Sequence, residues 1–323
     1  MSRYPTFDRS RLRLRSLAER EHLVDLGSVL PLDGEIEPFQ DPDFPKLVER
    51  IVAAREAGRP VILMMGAHVL KQGCSRFVNE MIRRGVVSHL ATNGACVIHD
   101  YELARIGATS ESVAKYILDG RFGLWRETGE INTIVARAAG EGLGLGEAVG
   151  REVLESDFPH RDLSVYATAY AHGVPATVHL GIGYDIIHQH PNFDGAAAGA
   201  ASYRDFLIFT AAVEQLEGGA LLNVGTAVMG PEVYLKALSM ARNATADEGR
   251  EIRHFTTAVF DLIPISGDYH QELAKDKPQY YYRPWKTILV RTVADGGESF
   301  YFCGDHRSTV PTLCRETVSR LAP

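Results

Sequence analysis

From about residue 45 onward the chain alternates short, unbroken apolar runs with longer stretches of helical periodicity, and this rhythm constrains its fold more than any other feature. Residues 60–68 (PVILMMGAH) and 86–95 (VVSHLATNGA) are apolar runs of strand length, as are 174–183 (VPATVHLGIG) and 219–229 (GALLNVGTAVM). A run that is apolar at every position, not at alternate ones, reads as a strand covered on both faces. Residues 254–264, 287–293 (TILVRTV) and 297–305 (GESFYFCGD) are expected to add late strands. Helical stretches lie between these runs. In 41–58, Asp43 is placed to cap a helix, Pro45 falls in its first turn and Gly58 closes it. The stretch 230–243 opens with Pro231 and Glu232, where a helix start tolerates proline and favours an acid. Strand alternating with helix implies a Rossmann-like, doubly wound and mainly parallel sheet with helices on both faces. No internal repeat or Gly/Ser linker interrupts the pattern. The expected organisation is an N-terminal arm over 1–45 and a single α/β domain over 46–323.

Composition excludes several function classes. A net charge of −7 and a pI near 6.0 argue against nucleic acid as a partner, because a phosphate backbone demands a clustered basic surface. The basic cluster Arg9, Arg11, Arg13 and Arg15 is short and is followed by acidic sequence. No stretch approaches the ~20 apolar residues of a membrane span, and the polar N-terminus does not read as a secretory leader. The 4 cysteines show no C-x-x-C pairing, which suits reduced thiols and a cytoplasmic location.

In a doubly wound sheet, ligands bind beyond the carboxyl ends of the strands. The predicted strand ends carry Gly66, Ala67 and His68; Thr92, Asn93 and Gly94; Gly225 and Thr226; and Asp305 and His306. Glycine lets a backbone approach a ligand, and free N–H groups at a helix start hold phosphate oxygens. Neither G-x-G-x-x-G after the first strand nor a P-loop sequence is present. The densest ionisable cluster is GYDIIHQHPNFDG, which holds Asp185, His188, His190 and Asp194. If this segment is extended, the His-x-His pair presents both rings on one side. It then suits proton transfer near neutral pH, or a metal-assisted hydrolase using His188, His190 and Asp194. Trp285 with Lys286 offers a wall for a flat or cationic group, although core packing is the commoner explanation for such a tryptophan.

Several of these segments, in order, resemble deoxyhypusine synthase. Residues 61–104 are similar to that family's first strand–helix–strand unit, with Thr92-Asn93-Gly94-Ala95 at its NAD-touching turn. In 164–190, Asp185 and His190 fall on the Asp and His of its Gly-Asp-x-x-x-x-His run. Residues 221–238 resemble its Gly-rich turn, 280–288 its stretch around the polyamine pocket, and 299–313 its ribose-holding turn. The resemblance implies bound NAD, a homotetramer with sites at subunit interfaces, and a small polar, amine-like substrate. Asp268 and Glu272 stand where the family's amine-pocket acids are sought. The family forms an imine through a lysine whose position here is Met229, and methionine forms no imine. The implied activity is therefore NAD-dependent hydride abstraction with His190 as acid/base and His188 and Asp185 orienting the substrate. A non-catalytic nucleotide-binding protein is the further alternative.

Overall fold

The computed structural model describes residues 3–321. Among the described residues eight strands are formed: β1 (Val24–Asp25), β2 (Val61–Met65), β3 (His89–Asn93), β4 (Ala108–Thr109), β5 (Ala176–His179), β6 (Ala220–Val224), β7 (Thr256–Asp261) and β8 (Glu298–Cys303). Six of them make one sheet in the order β5-β3-β2-β6-β7-β8. Every neighbouring pair is parallel. The expected Rossmann-like sheet is therefore observed.

The apolar runs account for this sheet. Along β2, Val61, Leu63 and Met65 enter one hydrophobic cluster while Ile62 and Met64 enter another on the opposite face. Strand β6 divides the same way, with Leu222 and Val224 on one side and Leu221 on the other. Burying each such side chain contributes roughly 1.5–3 kcal/mol, and only a sheet covered on both faces gains it at every position.

The strand order has a functional consequence. From β2 the chain steps outward through β3 to β5, returns to lay β6 against β2, and steps outward the other way through β7 to β8. The direction of winding reverses between β2 and β6, and that reversal opens a crevice at their carboxyl ends.

One expected strand is a helix. Residues of the TILVRTV run form a wide, π-type helix, Trp285–Arg291, on the face of the sheet. The reason is topological: β8 pairs parallel to β7, and a parallel connection needs a crossover segment, which this run supplies. Thr257 Oγ1 donates to the Ile288 carbonyl at 3.0 Å and Ser299 Oγ to that of Leu289 at 2.7 Å, pinning the helix to both strands.

The first 45 residues contain three short 3-10 turns and β1, which pairs antiparallel with β4. Leu17 packs with Tyr116 and Trp125 in a small separate core. Arg15, Leu17 and Arg20 of this segment lie against residues 102–128, while residues 28–39 lie against Gly73 and the helix His306–Arg320. No helix among the described residues is long and apolar enough to cross a membrane.

Candidate functional site

At the winding reversal the β2 and β6 backbones meet. Gly66 N–H donates to the Val224 carbonyl at 3.0 Å, and a Cβ on Gly66 would collide with the Gly225 carbonyl oxygen. Gly225 itself holds φ +62, and a Cβ there would stand 2.6 Å from His306 Nε2. Gly225→Ala is therefore expected to cost about 1–2 kcal/mol of stability from the left-handed backbone alone, read as a shift in the denaturation midpoint. Beyond the two glycines opens a cleft of about 560 Å³. It lies among the chain segments that leave β2, β3, β5 and β6, and its size suits a small-molecule or cofactor site.

Five of the sequence-predicted residues line it together: Gly66, Ala67, Asn93, Gly225 and Thr226. Asn93 caps the helix Gly94–Ile106, its Oδ1 accepting from Cys96 N–H at 3.1 Å. Thr226 Oγ1 accepts from Gly230 N–H at 3.0 Å, at the start of the helix Met229–Thr245. Met229, the position of the family's imine-forming lysine, also faces the cleft.

Other expected residues lie behind or away from it. Thr92 is fully buried and bonded to Tyr166, because alternation along β3 turns it into the core. His306 is 2% exposed and sits behind Gly225, with His68 against it at a ring separation of 5.8 Å. Burial, and then His68, push the His306 pKa down to about 4. Asp305 caps the helix His306–Arg320. Trp285 is 3% exposed and its indole donates to the Gln271 carbonyl, so it is a core residue. The Lys286 ammonium lies 4.2 Å over the Tyr280 ring, and Asp268 pairs with its neighbours His270 and Gln271. Glu272 bonds Arg291.

The histidine cluster is arranged differently from an extended His-x-His pair. Ile186–Gln189 is a turn of 3-10 helix, and with three residues per turn positions 188 and 190 cannot face the same way. His190 is fully buried; its Nε2 donates to the Gly123 carbonyl at 2.7 Å, and its Nδ1 abuts Gly129. His188 Nδ1 accepts from the N–H groups of Gly183 and Asp185 at 3.1 and 3.2 Å, which places the proton on Nε2. That Nε2 has no hydrogen-bond partner and lies 3.9 Å from Asp185 Oδ2, which also lacks one. Asp194 is spent as the N-cap of Gly195–Glu214. The three groups invoked for a metal-assisted hydrolase thus do not converge. Among the described residues no three His, Cys, Asp or Glu side chains are placed to hold a metal ion.

Three lining residues carry polar groups that the sequence did not single out for the site. Tyr184 and His179 follow and end β5, and Glu232 rises from the first turn after β6. Glu232 pairs with Lys236 and, at 2.7 Å, with Arg283 from the β7–β8 connection. Its bond to Lys236 is the main reason its pKa lies below the usual carboxylate range. Burial pushes His179 down to about 3, so it is neutral at physiological pH.

A second cavity, about 880 Å³, opens at the opposite end of the sheet, beside Thr256 and Glu298 at the amino ends of β7 and β8. Its ionisable groups are already paired: Glu298 with Lys46 and Arg50, and His254 with Glu217. The carboxyl-end cleft is the better candidate on topology.

No family model matches the chain, and no curated protein does. Solved structures share its fold. ArgZ, an arginine dihydrolase from the ornithine–ammonia cycle in cyanobacteria, superposes with a TM-score of 0.51 and 14% identity, over 86% of this chain and 33% of its own. AgrE in binary complex with L-arginine gives 0.51 and 17%, over 89% and 35%. AgrE has also been solved in a ternary complex with ornithine and NAD+. A conserved LOR/SDH-type protein from Methanococcus maripaludis S2 gives 0.50 and 13%, over 89% and 73%. This chain thus spans about a third of the ArgZ and AgrE chains. At such identities the likeness is one of fold.

Proposed function

We propose that this chain is an NAD-dependent enzyme of the deoxyhypusine synthase-like kind, acting without a lysine imine on a small polar substrate. The observation that carries the reading is the strand order: a dinucleotide lies across the crevice where a doubly wound sheet reverses. The cleft fits that role in size and in having glycine at both walls, and its lining includes an acid but no lysine or arginine. Two further points support it. Among the sequence segments resembling deoxyhypusine synthase, the family's NAD-touching turn falls at Thr92-Asn93-Gly94-Ala95 and its Gly-rich turn at Gly225. AgrE, of similar fold, binds NAD+ in its ternary complex.

When bound, NAD supplies a hydride acceptor; the chain's own residues do the rest. Asn93 and Gly94 at the end of β3 would hold the adenosine half, and Thr226 and Met229 after β6 would flank the opposite half. On this arrangement His188 and Asp185 belong to the adenosine side, and His190 is a structural tether of the Gly123–Gly129 turn. The charged group on the reacting side is Glu232. Its contact with Arg283 turns it toward the β7–β8 connection, and its lowered pKa keeps it ionised to pair with a substrate ammonium.

Calorimetric titration with NAD tests the reading, after denaturing the purified protein and assaying the supernatant for carried-over nucleotide. Saturable binding below millimolar concentration, or co-purified NAD, is expected. No binding up to millimolar NAD by a folded, nucleotide-free protein overturns it. Binding without turnover of any amine or alcohol would leave a nucleotide-binding protein and remove the enzyme.

A further inference from the structure

The first 45 residues carry two charged stretches of opposite sign. Residues 9–15 hold Arg9, Arg11, Arg13 and Arg15 and no acid, whereas 33–43 hold Asp33, Glu35, Glu37, Asp41 and Asp43 and no basic residue. The two alternate alike. From Leu12 the backbone is extended, with Leu12 and Leu14 half-buried and Arg13 and Arg15 exposed. Glu35 and Glu37 are exposed on either side of a half-buried Ile36, and Asp33 is exposed in the turn before them. Alternate residues of an extended chain stand about 6.6–7 Å apart, so charges set at every second position in two such chains match one to one.

Neither stretch is neutralised inside the chain, because each is fixed to a different part of it. Arg15 bridges to Trp125 through its backbone, and the Arg9 guanidinium donates to the Phe193 carbonyl. The acidic stretch lies along the helix His306–Arg320, where Phe39 N–H donates to Thr312 Oγ1 at 2.9 Å and Ser308 Oγ donates to the Glu37 carbonyl at 2.9 Å. Among the described residues, Arg11, Arg13 and Arg15 pair with no acid, and Asp33, Glu35 and Glu37 pair with no base. Beside the acidic stretch opens a groove of about 460 Å³, walled by Phe39, Pro42, Phe44 and Pro45 and holding Asp41. Such walls suit an aromatic side chain. Phe7, just before the arginines, is 71% exposed.

We propose that these stretches form an interface between two copies of the chain, with Phe7 to Arg15 of one copy lying antiparallel along 33–43 of the other. One register satisfies every group. It sets Arg11 on Glu37, Arg13 on Glu35 and Arg15 on Asp33, and it brings Phe7 to residue 41, at the groove. Arginine and aromatic anchors of this kind carry most of the binding in protein interfaces, and complementary charge fixes their register. Each copy supplies one stretch of each sign, so across a two-fold axis both contacts form at once.

Sedimentation of the full chain at about 50 and about 500 mM salt tests the interface, because added salt screens exposed charges. Expected is an assembly larger than the monomer at low salt that weakens at high salt. The triple reversals Arg11→Glu/Arg13→Glu/Arg15→Glu and Asp33→Lys/Glu35→Lys/Glu37→Lys each set like charges across the contact. Each is expected to weaken association by about tenfold or more. An equimolar mixture of the two restores it, since opposite charges face each other again. Thermal melts control for folding. Wild type that is monomeric at low salt overturns the proposal, as does an assembly that both folded variants preserve. A mixture that associates no better than its components also overturns it. Loss of association in the arginine variant alone assigns those arginines to a partner other than the chain's own acids, and the proposal falls. If a triple variant does not fold, the single reversals Arg13→Glu and Glu35→Lys, alone and mixed, are read in the same way.

Discussion

Glu102→Ala is expected to lower the free energy of unfolding by about 3–5 kcal/mol, the range for removing one partner of a buried ion pair. Glu102 and Arg20 side chains are each 1% exposed and meet in a bidentate bridge, at 2.9 Å between Nη1 and Oε1 and 2.7 Å between Nη2 and Oε2. Thr109 and Thr128 hydroxyls donate to the same carboxylate, each at 2.6 Å. Every bond converges on one group, so deleting it strands the Arg20 guanidinium in the interior beside Trp125. Burial alone would raise the Glu102 pKa, but the bonds and charge of Arg20, with the two threonines, hold it below the usual value. Its contribution is therefore present above the unfolded carboxylate pKa and is lost as pH falls through the lower folded value.

The same substitution reports on the first 45 residues. Arg20 belongs to that segment and Glu102 to the helix Gly94–Ile106, so the bridge ties the N-terminal stretch to the body of the chain. Chemical denaturation gives the stability change. Limited proteolysis should show earlier cleavage before residue 45 in Glu102→Ala than in wild type. Unchanged protection would mean that β1 and the Leu17 packing hold the segment unaided.

The sheet was legible in the sequence because its central strands are apolar at every position. No helix periodicity competes with 61–65 or 220–224, and the glycines after them mark the strand ends. The same rule failed at 287–293, where an apolar β-branched run crosses over the sheet as a helix; local composition does not distinguish a strand from a short buried helix. Two helices, Glu130–Glu141 and Leu145–Glu155, lie in glycine-rich sequence that hides their period. The site was legible in part for a related reason. Gly66, Asn93, Gly225 and Thr226 end strands, and strand ends converge by topology. His190 carried the right chemistry, but its orientation depends on a 3-10 turn and on Gly123, 67 residues away. Glu232 carried a sufficient local explanation as a helix-start acid, and nothing in the sequence shows Arg283 reaching it.

Titration of two interior aspartates is expected to subtract stability as pH rises from about 4 toward 7. Asp205 is fully buried on the helix Gly195–Glu214. Its Oδ2 accepts from Gly146 N–H at 3.0 Å and Val178 N–H at 2.8 Å, while Oδ1 has no partner against Gly144. Asp100 accepts from Val165 N–H and from the Ser164 hydroxyl in the core. Burial raises both to about 7, against hydrogen bonds that pull the other way. A folded pKa above the unfolded value of about 3.9 means the contribution is full below that value and is lost as pH rises through the folded pKa. Three units correspond to an upper bound on the order of 4 kcal/mol per group. The Glu102 bridge acts in the opposite direction, as do His89, His99, His179 and His306, whose pKa values burial lowers to about 3 or 4, so the aspartate contribution is read as a difference between variant and wild type. Asp205→Asn keeps an acceptor for Gly146 and Val178 and removes the titration. Urea denaturation between pH 5 and 8 should show the stability of this variant gaining on that of wild type as pH rises, with the variant overtaking wild type at the alkaline end. Parallel slopes would mean that Asp205 remains ionised in the folded protein, stabilised by its backbone donors more strongly than burial opposes it.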